Sequence, residues 1–127
     1  METPRILLDT NVLLAALMGP ERVTAATREL LVDPARDVRF SAASVWEVAI
    51  KRSLQRERFD FEPAEVHELA VQAGFGELPV RAEHVYGLSE LPMHHRDPFD
   101  RLLVCQARRW GRGWSHQMAS LKRMGMW

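Results

Sequence analysis

Short apolar runs alternate with longer stretches of helical spacing along this chain. Ile6–Leu8 is a continuous apolar run, as expected of a strand buried on both faces. The following VLLAALM reads as a helix ended by Gly19-Pro20, and Glu21–Val32 as a second helix before the Asp33-Pro34 turn. Val38–Ser41 has strand character. Ser44–Gln55 reads as a helix, with Ser44 and Glu47 in capping-box spacing. Glu62–Ala73 is a further helix, opened by Pro63 and closed by Gly74. Leu78–Val80 is a weak strand and Ala82–Leu88 a short helix. The last clear helix has Asp97 as N-cap and Pro98 at its first position, and it stops at Gly111. Short strands alternating with helices predict an α/β fold with a small parallel sheet.

Three acids break this pattern. Asp9 ends RILLD, Glu47 interrupts SVWEVAI, and Asp100 heads DRLLVCQA. Burying a lone carboxylate costs several kcal/mol unless it is compensated. Each acid also has a structural explanation to weigh. Asp9 can cap the helix that starts near Val12, with Thr10 and Asn11 as rival caps. Glu47 can complete the capping box or pair with Lys51 at i,i+4. Asp100 is harder to explain this way. Leu103, Val104 and Ala107 share its helix face, and the cap position already has Asp97.

Composition narrows the setting. The chain has 127 residues, 46% apolar and 27% charged, with zero formal net charge. That is the size of one domain and the balance of a soluble globular protein, without a membrane span or signal-peptide layout. The single cysteine, Cys105, excludes an internal disulfide. A reducing, cytoplasmic setting is the expectation. Charge is unevenly placed: no Asp or Glu follows Asp100, whereas Arg101, Arg108, Arg109, Arg112, Lys122 and Arg123 do. Lys51, Arg52, Arg56 and Arg58 form a second basic group. Solvated helix faces account for such groups, and phosphate contacts are the alternative.

In an open parallel sheet, ligands bind beyond the carboxyl ends of the strands. Carboxylates gathered there suit Mg²⁺ or Mn²⁺, hard cations that prefer oxygen. Such a metal activates water towards phosphorus, so phosphodiester hydrolysis is the expected reaction. No Cys/His spacing indicates zinc, and no phosphate-binding glycine loop or serine-hydrolase elbow is present. His94-His95 reads as a solvent-facing pair, with a phosphate contact as the alternative, and Cys105 as a packing residue rather than a nucleophile.

The segments LLDTNVLLAAL, SAASVWEVAIKRSL and LPMHHRDPFDRLLVCQA, in that order, resemble the PIN-domain toxins of the VapC type. These are the ribonuclease halves of toxin–antitoxin pairs. The resemblance spans roughly residues 5–110 and is most specific in its third segment. It implies a three-layer α/β/α domain and a Mg²⁺-dependent endoribonuclease, with Mn²⁺ as a possible substitute. Asp9, Glu47 and Asp100 match the catalytic, metal-binding acids, and Asp97 an accessory acidic position. Thr10 or Asn11 would support the first acid. The resemblance further implies a homodimer silenced by a small cognate antitoxin. Lys51, Arg52 and Arg96 would face RNA or the antitoxin.

The chain departs from the family after residue 110. A β-branched strand and a fourth acid are expected there, but the text reads GRGWSHQMASLKRMGMW. One encoding of Trp114–Ala119, TGG TCA CAC CAG ATG GCG, read from its third base gives Val-Thr-Pro-Asp-Gly. The hypothesis is a frameshift near residues 110–114. Sequencing the locus tests it, and a neighbouring frame without family-like continuation would sink it. The expectation for the protein is one domain, 1–127, with an atypical tail. Its last strand is lost, and Trp114, Met118, Leu121, Met124, Met126 and Trp127 cover the gap as an amphipathic helix. Fewer anionic ligands lower metal affinity, so the alternative reading is a catalytically impaired PIN domain that retains antitoxin or RNA binding.

Overall fold

The computed structural model describes residues 5–54, 60–91 and 97–110, and the backbone of 116–119. Four strands form the sheet: β1 (Arg5–Leu8), β2 (Asp37–Ser41), β3 (Gly76–Leu78) and β4 (His116–Ala119). All pair in parallel, in the order β3-β2-β1-β4. Among the described residues, five α-helices connect them: α1 (Thr10–Met18), α2 (Ala25–Val32), α3 (Ala42–Leu54), α4 (Pro63–Gln72) and α5 (Pro98–Trp110).

The alternation of β1 side chains explains the layers. Ile6 and Leu8 join Val38 and Phe40 in a core with Leu13 and Leu14 of α1, Val48 of α3 and Val66 of α4. Leu7 points to the other face, where it packs with Leu78 and with Leu103 and Ala107 of α5. A strand covered on both faces has no solvent side, so β1 reads as unbroken apolar text. The result is the three-layer α/β/α arrangement.

Two features orient the layers. Trp110, at the end of α5, is tied to the amino-terminal end of β1. Arg5 Nη1 donates to its carbonyl at 2.7 Å, and the Arg5 and Arg39 guanidinium carbons lie 5.5 and 5.0 Å from its ring centroid. Helix α5 therefore runs against the strand direction, and its first turn lies at the carboxyl end of the sheet. At α4 the chain closes in a Schellman motif: Phe75 N–H donates to the Ala70 carbonyl and Gly74 N–H to that of Val71. Gly74 has φ 91°, which glycine adopts without a side-chain penalty.

Several expectations need correction. Helix α1 begins at Thr10 rather than Val12, because Asp9 caps it directly. The second helix is interrupted: a 3-10 turn covers Pro20–Arg22, and α2 starts only at Ala25, capped by Thr24. Ser44 is not a cap. Helix α3 starts at Ala42, and Ser41 Oγ accepts from Ala43 N–H at 3.0 Å. The third strand lies two residues earlier than expected, and two 3-10 turns, Ala82–Val85 and Leu88–Glu90, replace the short helix.

The C-terminal strand is not lost. His116–Ala119 pairs in parallel with Arg5–Leu8, so Met118 lies in a strand rather than in a covering helix. Strand formation here does not need β-branched residues. The exposed N–H and C=O groups of β1 offer a ladder, and context outweighs intrinsic propensity. Of the other proposed covering residues, Trp114, Leu121, Met124, Met126 and Trp127 lie outside the described residues.

Candidate functional site

The strand order reverses at β1: the chain moves outwards to β2 and β3, then returns to place β4 on the other side. The crevice beyond the carboxyl end of such a strand is where parallel sheets take ligands. Asp9 follows β1 there and is 2% exposed. Its Oδ1 accepts from Val12 N–H at 2.9 Å, so the structural role foreseen for it is present. Capping and metal binding are compatible roles for a carboxylate, which has two oxygens and about four lone-pair sites.

Thr10 links this corner to α3. Its Oγ1 lies 2.6 Å from Glu47 Oε1 and 2.9 Å from Ser44 Oγ. A carboxylate can only accept and a hydroxyl has one proton, so Thr10 donates to Glu47 and receives from Ser44. Glu47 Oε2 meets Lys51 Nζ at 2.8 Å, the i,i+4 pair foreseen from spacing. The Glu47 side chain is 7% exposed and that of Lys51 37%. Lys51 thus brings its charge in from solvent to a buried acid, its stem lying along the helix. Asn11 is buried beside them.

Asp97 and Asp100 arrive on α5, whose first turn faces the same end of the sheet. Asp97 caps the helix as expected, accepting from Phe99 N–H at 2.8 Å and Asp100 N–H at 3.4 Å. Asp100 is half-buried in that first turn. The Trp46 and Phe99 rings meet edge to face, with centroids 4.9 Å apart, and join α3 to α5. Asp9, Thr10, Asn11 and Glu47 therefore form one buried corner, and Asp97 and Asp100 stand on the helix that flanks it.

The basic residues are disposed differently. Arg52 is held by Asp60 at 3.1 Å and Glu62 at 2.7 Å, which ties α3 to the start of α4. Arg96, His94 and His95 lie outside the described residues. A cleft of about 590 Å³ between α1, α2 and the end of α4, lined by Ala16, Leu31 and Phe75, is at the opposite end of α1 from Asp9. Its lining includes Arg28 but no acid, so it does not share this chemistry.

One buried network had escaped the reading of the sequence. Ser41 Oγ donates to Gln106 Oε1 at 2.6 Å, and Gln106 Nε2 reaches the Pro79 carbonyl at 3.4 Å. His84 Nδ1 accepts from Arg81 N–H at 2.9 Å. The signal was available, since Gln106 is a polar residue inside an apolar helix face. This network locks α5 and the loop after β3 onto the end of β2.

Burial holds the His84 imidazole below its ordinary range; Glu83 opposes this, and Arg109 and Arg81 reinforce it. Protonating Nδ1 would also forfeit the bond from Arg81. As pH falls below about 6.5, the unfolded chain takes up this proton before the folded one. The stabilisation from neutral His84 is therefore complete above that pH and is lost on acidification. Urea midpoints at pH 7.5 and 5.5 should fall further for the wild type than for His84→Gln. Equal falls would contradict this account. Burial likewise raises the Cys105 thiol, opposed by Arg108 and Arg101, which fits a packing residue rather than a nucleophile.

Among the described residues, no three Asp, Glu, His or Cys side chains form a group that could hold a metal ion. The donor chemistry still fits a hard divalent cation. Mg²⁺ is commonly held by one or two carboxylates and keeps several of its waters, so it does not require a closed protein cage. The available donors at this corner are oxygens.

An open parallel α/β domain with buried acids at its switch point is therefore the class that fold and site define. The PIN domain family model matches residues 6–111, and the chain belongs to that family. PIN domains are generally metal-dependent nucleases. A search of curated proteins returned no match to this chain. No helix among the described residues is long and apolar enough to cross a membrane.

Proposed function

We propose that this protein is a Mg²⁺-dependent endoribonuclease toxin of the VapC type, which hydrolyses RNA phosphodiesters and is silenced by a cognate antitoxin. The observation that carries the nuclease reading is the Asp9–Thr10–Glu47 corner beyond β1, within a PIN domain. Asp9 and Asp100 are the proposed metal ligands, with Mn²⁺ as a substitute for Mg²⁺. Asp97 is the accessory acid. A bound divalent ion would polarise a phosphoryl oxygen and activate water for attack on phosphorus. Thr10 orients the Glu47 carboxylate by its hydrogen bond, and Lys51 holds its other oxygen. Asn11 supports Asp9 from the first turn of α1. Cytoplasmic location and a homodimer belong to the same reading.

A second reading has its own support. No three-ligand group is present among the described residues, and no acid follows Asp100 in the sequence. A PIN domain with weakened metal binding that retains RNA or antitoxin would fit both facts. Cleavage of RNA with Mg²⁺ and with EDTA separates the readings. Cleavage that EDTA abolishes supports the ribonuclease. No cleavage, with RNA or antitoxin binding intact, supports the impaired domain. Cleavage indifferent to EDTA would exclude the metal role.

A further inference from the structure

His84 is 7% exposed, yet one of its two ring nitrogens has no protein partner among the described residues. Nδ1 accepts from Arg81 N–H at 2.9 Å, so the neutral ring carries its proton on Nε2. A buried donor of this kind is normally satisfied, by water or a ligand where the protein offers no acceptor. His84 lines a cavity of about 200 Å³ between α5 and the 3-10 turns after β3, with Cys105 buried beside it. The thiol, held protonated by burial, adds no charge. The mouth carries charges of both signs: Arg108 and Arg109 from α5, Glu83 and Glu90 from the turns. All four are exposed, and among the described residues none of them forms an ion pair. Tyr86 places Arg109: the guanidinium carbon lies 5.8 Å from the ring centroid, a contact that uses none of its N–H donors.

These groups select the occupant. The Nε2–H donor and two guanidiniums call for a negatively charged acceptor, and the fork of an arginine matches a carboxylate. The two carboxylates at the same mouth repel a chain of phosphates and favour a cation. Drug-sized ligands occupy roughly 300–1,000 Å³, so a molecule carrying both charges in this cavity is smaller than that. We infer that the cavity binds a free α-amino acid, its carboxylate on His84 Nε2–H and Arg109 and its ammonium towards Glu83 and Glu90. The site uses none of the acids at the end of β1 and no RNA, so it stands independently of the ribonuclease reading.

The test is calorimetric titration of the full chain with each standard amino acid and with inorganic phosphate. At least one amino acid should bind with a Kd of about 1 mM or tighter. Its N-acetyl derivative, without the ammonium, and its amide, without the carboxylate, should each bind about tenfold more weakly. Arg109→Ala and the double variant Glu83→Gln/Glu90→Gln should weaken the parent amino acid to a similar degree. These side chains are exposed, so the variants should fold as the wild type does. In Arg109→Ala the amino acid and its amide should bind nearly equally, because the group that reads the carboxylate is gone. Absence of binding by every amino acid would overturn the inference. Phosphate or the N-acetyl derivative binding as tightly as the amino acid would show a plain anion site instead. Undiminished affinity in both variants would place the amino acid elsewhere and also overturn it. RNA cleavage is measured in none of these titrations, so the nuclease reading survives or fails separately.

Discussion

Asp9→Asn is expected to lower Mg²⁺-dependent RNA cleavage by about a hundredfold or more while leaving the fold nearly as stable as wild type. The two effects separate because Asp9 performs two tasks. As N-cap it accepts from Val12 N–H, and asparagine caps a helix about as well as aspartate. As a proposed metal ligand it contributes a negative charge, which asparagine lacks. Asp9→Ala removes both and should cost about 1 kcal/mol of stability in addition to activity. Single-turnover cleavage and urea denaturation on the same preparations measure the two quantities. Full cleavage by a folded Asp9→Asn protein would remove Asp9 from the metal site.

The second large effect concerns Glu47 and Lys51. Lys51→Met should destabilise the domain by roughly 1–3 kcal/mol, because Glu47 stays buried with its charge uncompensated by lysine. The double variant Glu47→Met/Lys51→Met should recover that loss, since apolar replacement of a buried pair is often neutral or stabilising. Thr10 would keep its bond with Ser44. Cleavage should nevertheless disappear in the double variant. A stable but inactive protein would show that this acid is kept for chemistry at the expense of stability. A double variant less stable than Lys51→Met alone would show instead that the pair is structural. Unfolding free energies of the three proteins decide between these outcomes.

The contrast between Glu47 and Ser44 shows how far local reasoning reaches. Spacing suggested that the two residues cap a helix together. The pairing of Glu47 with Lys51 was equally visible and is present at 2.8 Å. The capping box is not, because Ser44 lies inside α3 and turns to Thr10, a residue 34 positions earlier in the chain. Nothing in either local segment could indicate that bond. Gln106 illustrates the same limit, since its partners Ser41 and Pro79 come from distant elements.

Alternation and periodicity by themselves determined the parallel α/β class, the apolar β1, the Asp97 cap, the end of α4 at Gly74 and the three acids that interrupt apolar text. These follow from local sterics, capping and burial, which depend on neighbours within a turn or a strand. The tertiary structure decided which acids share a corner, through β1 at the reversal of strand order and α5 running against the strands. It also decided that His116–Ala119 pairs as a strand despite its composition. An edge ladder is completed by whatever backbone reaches it, and side-chain preference alone does not predict that outcome.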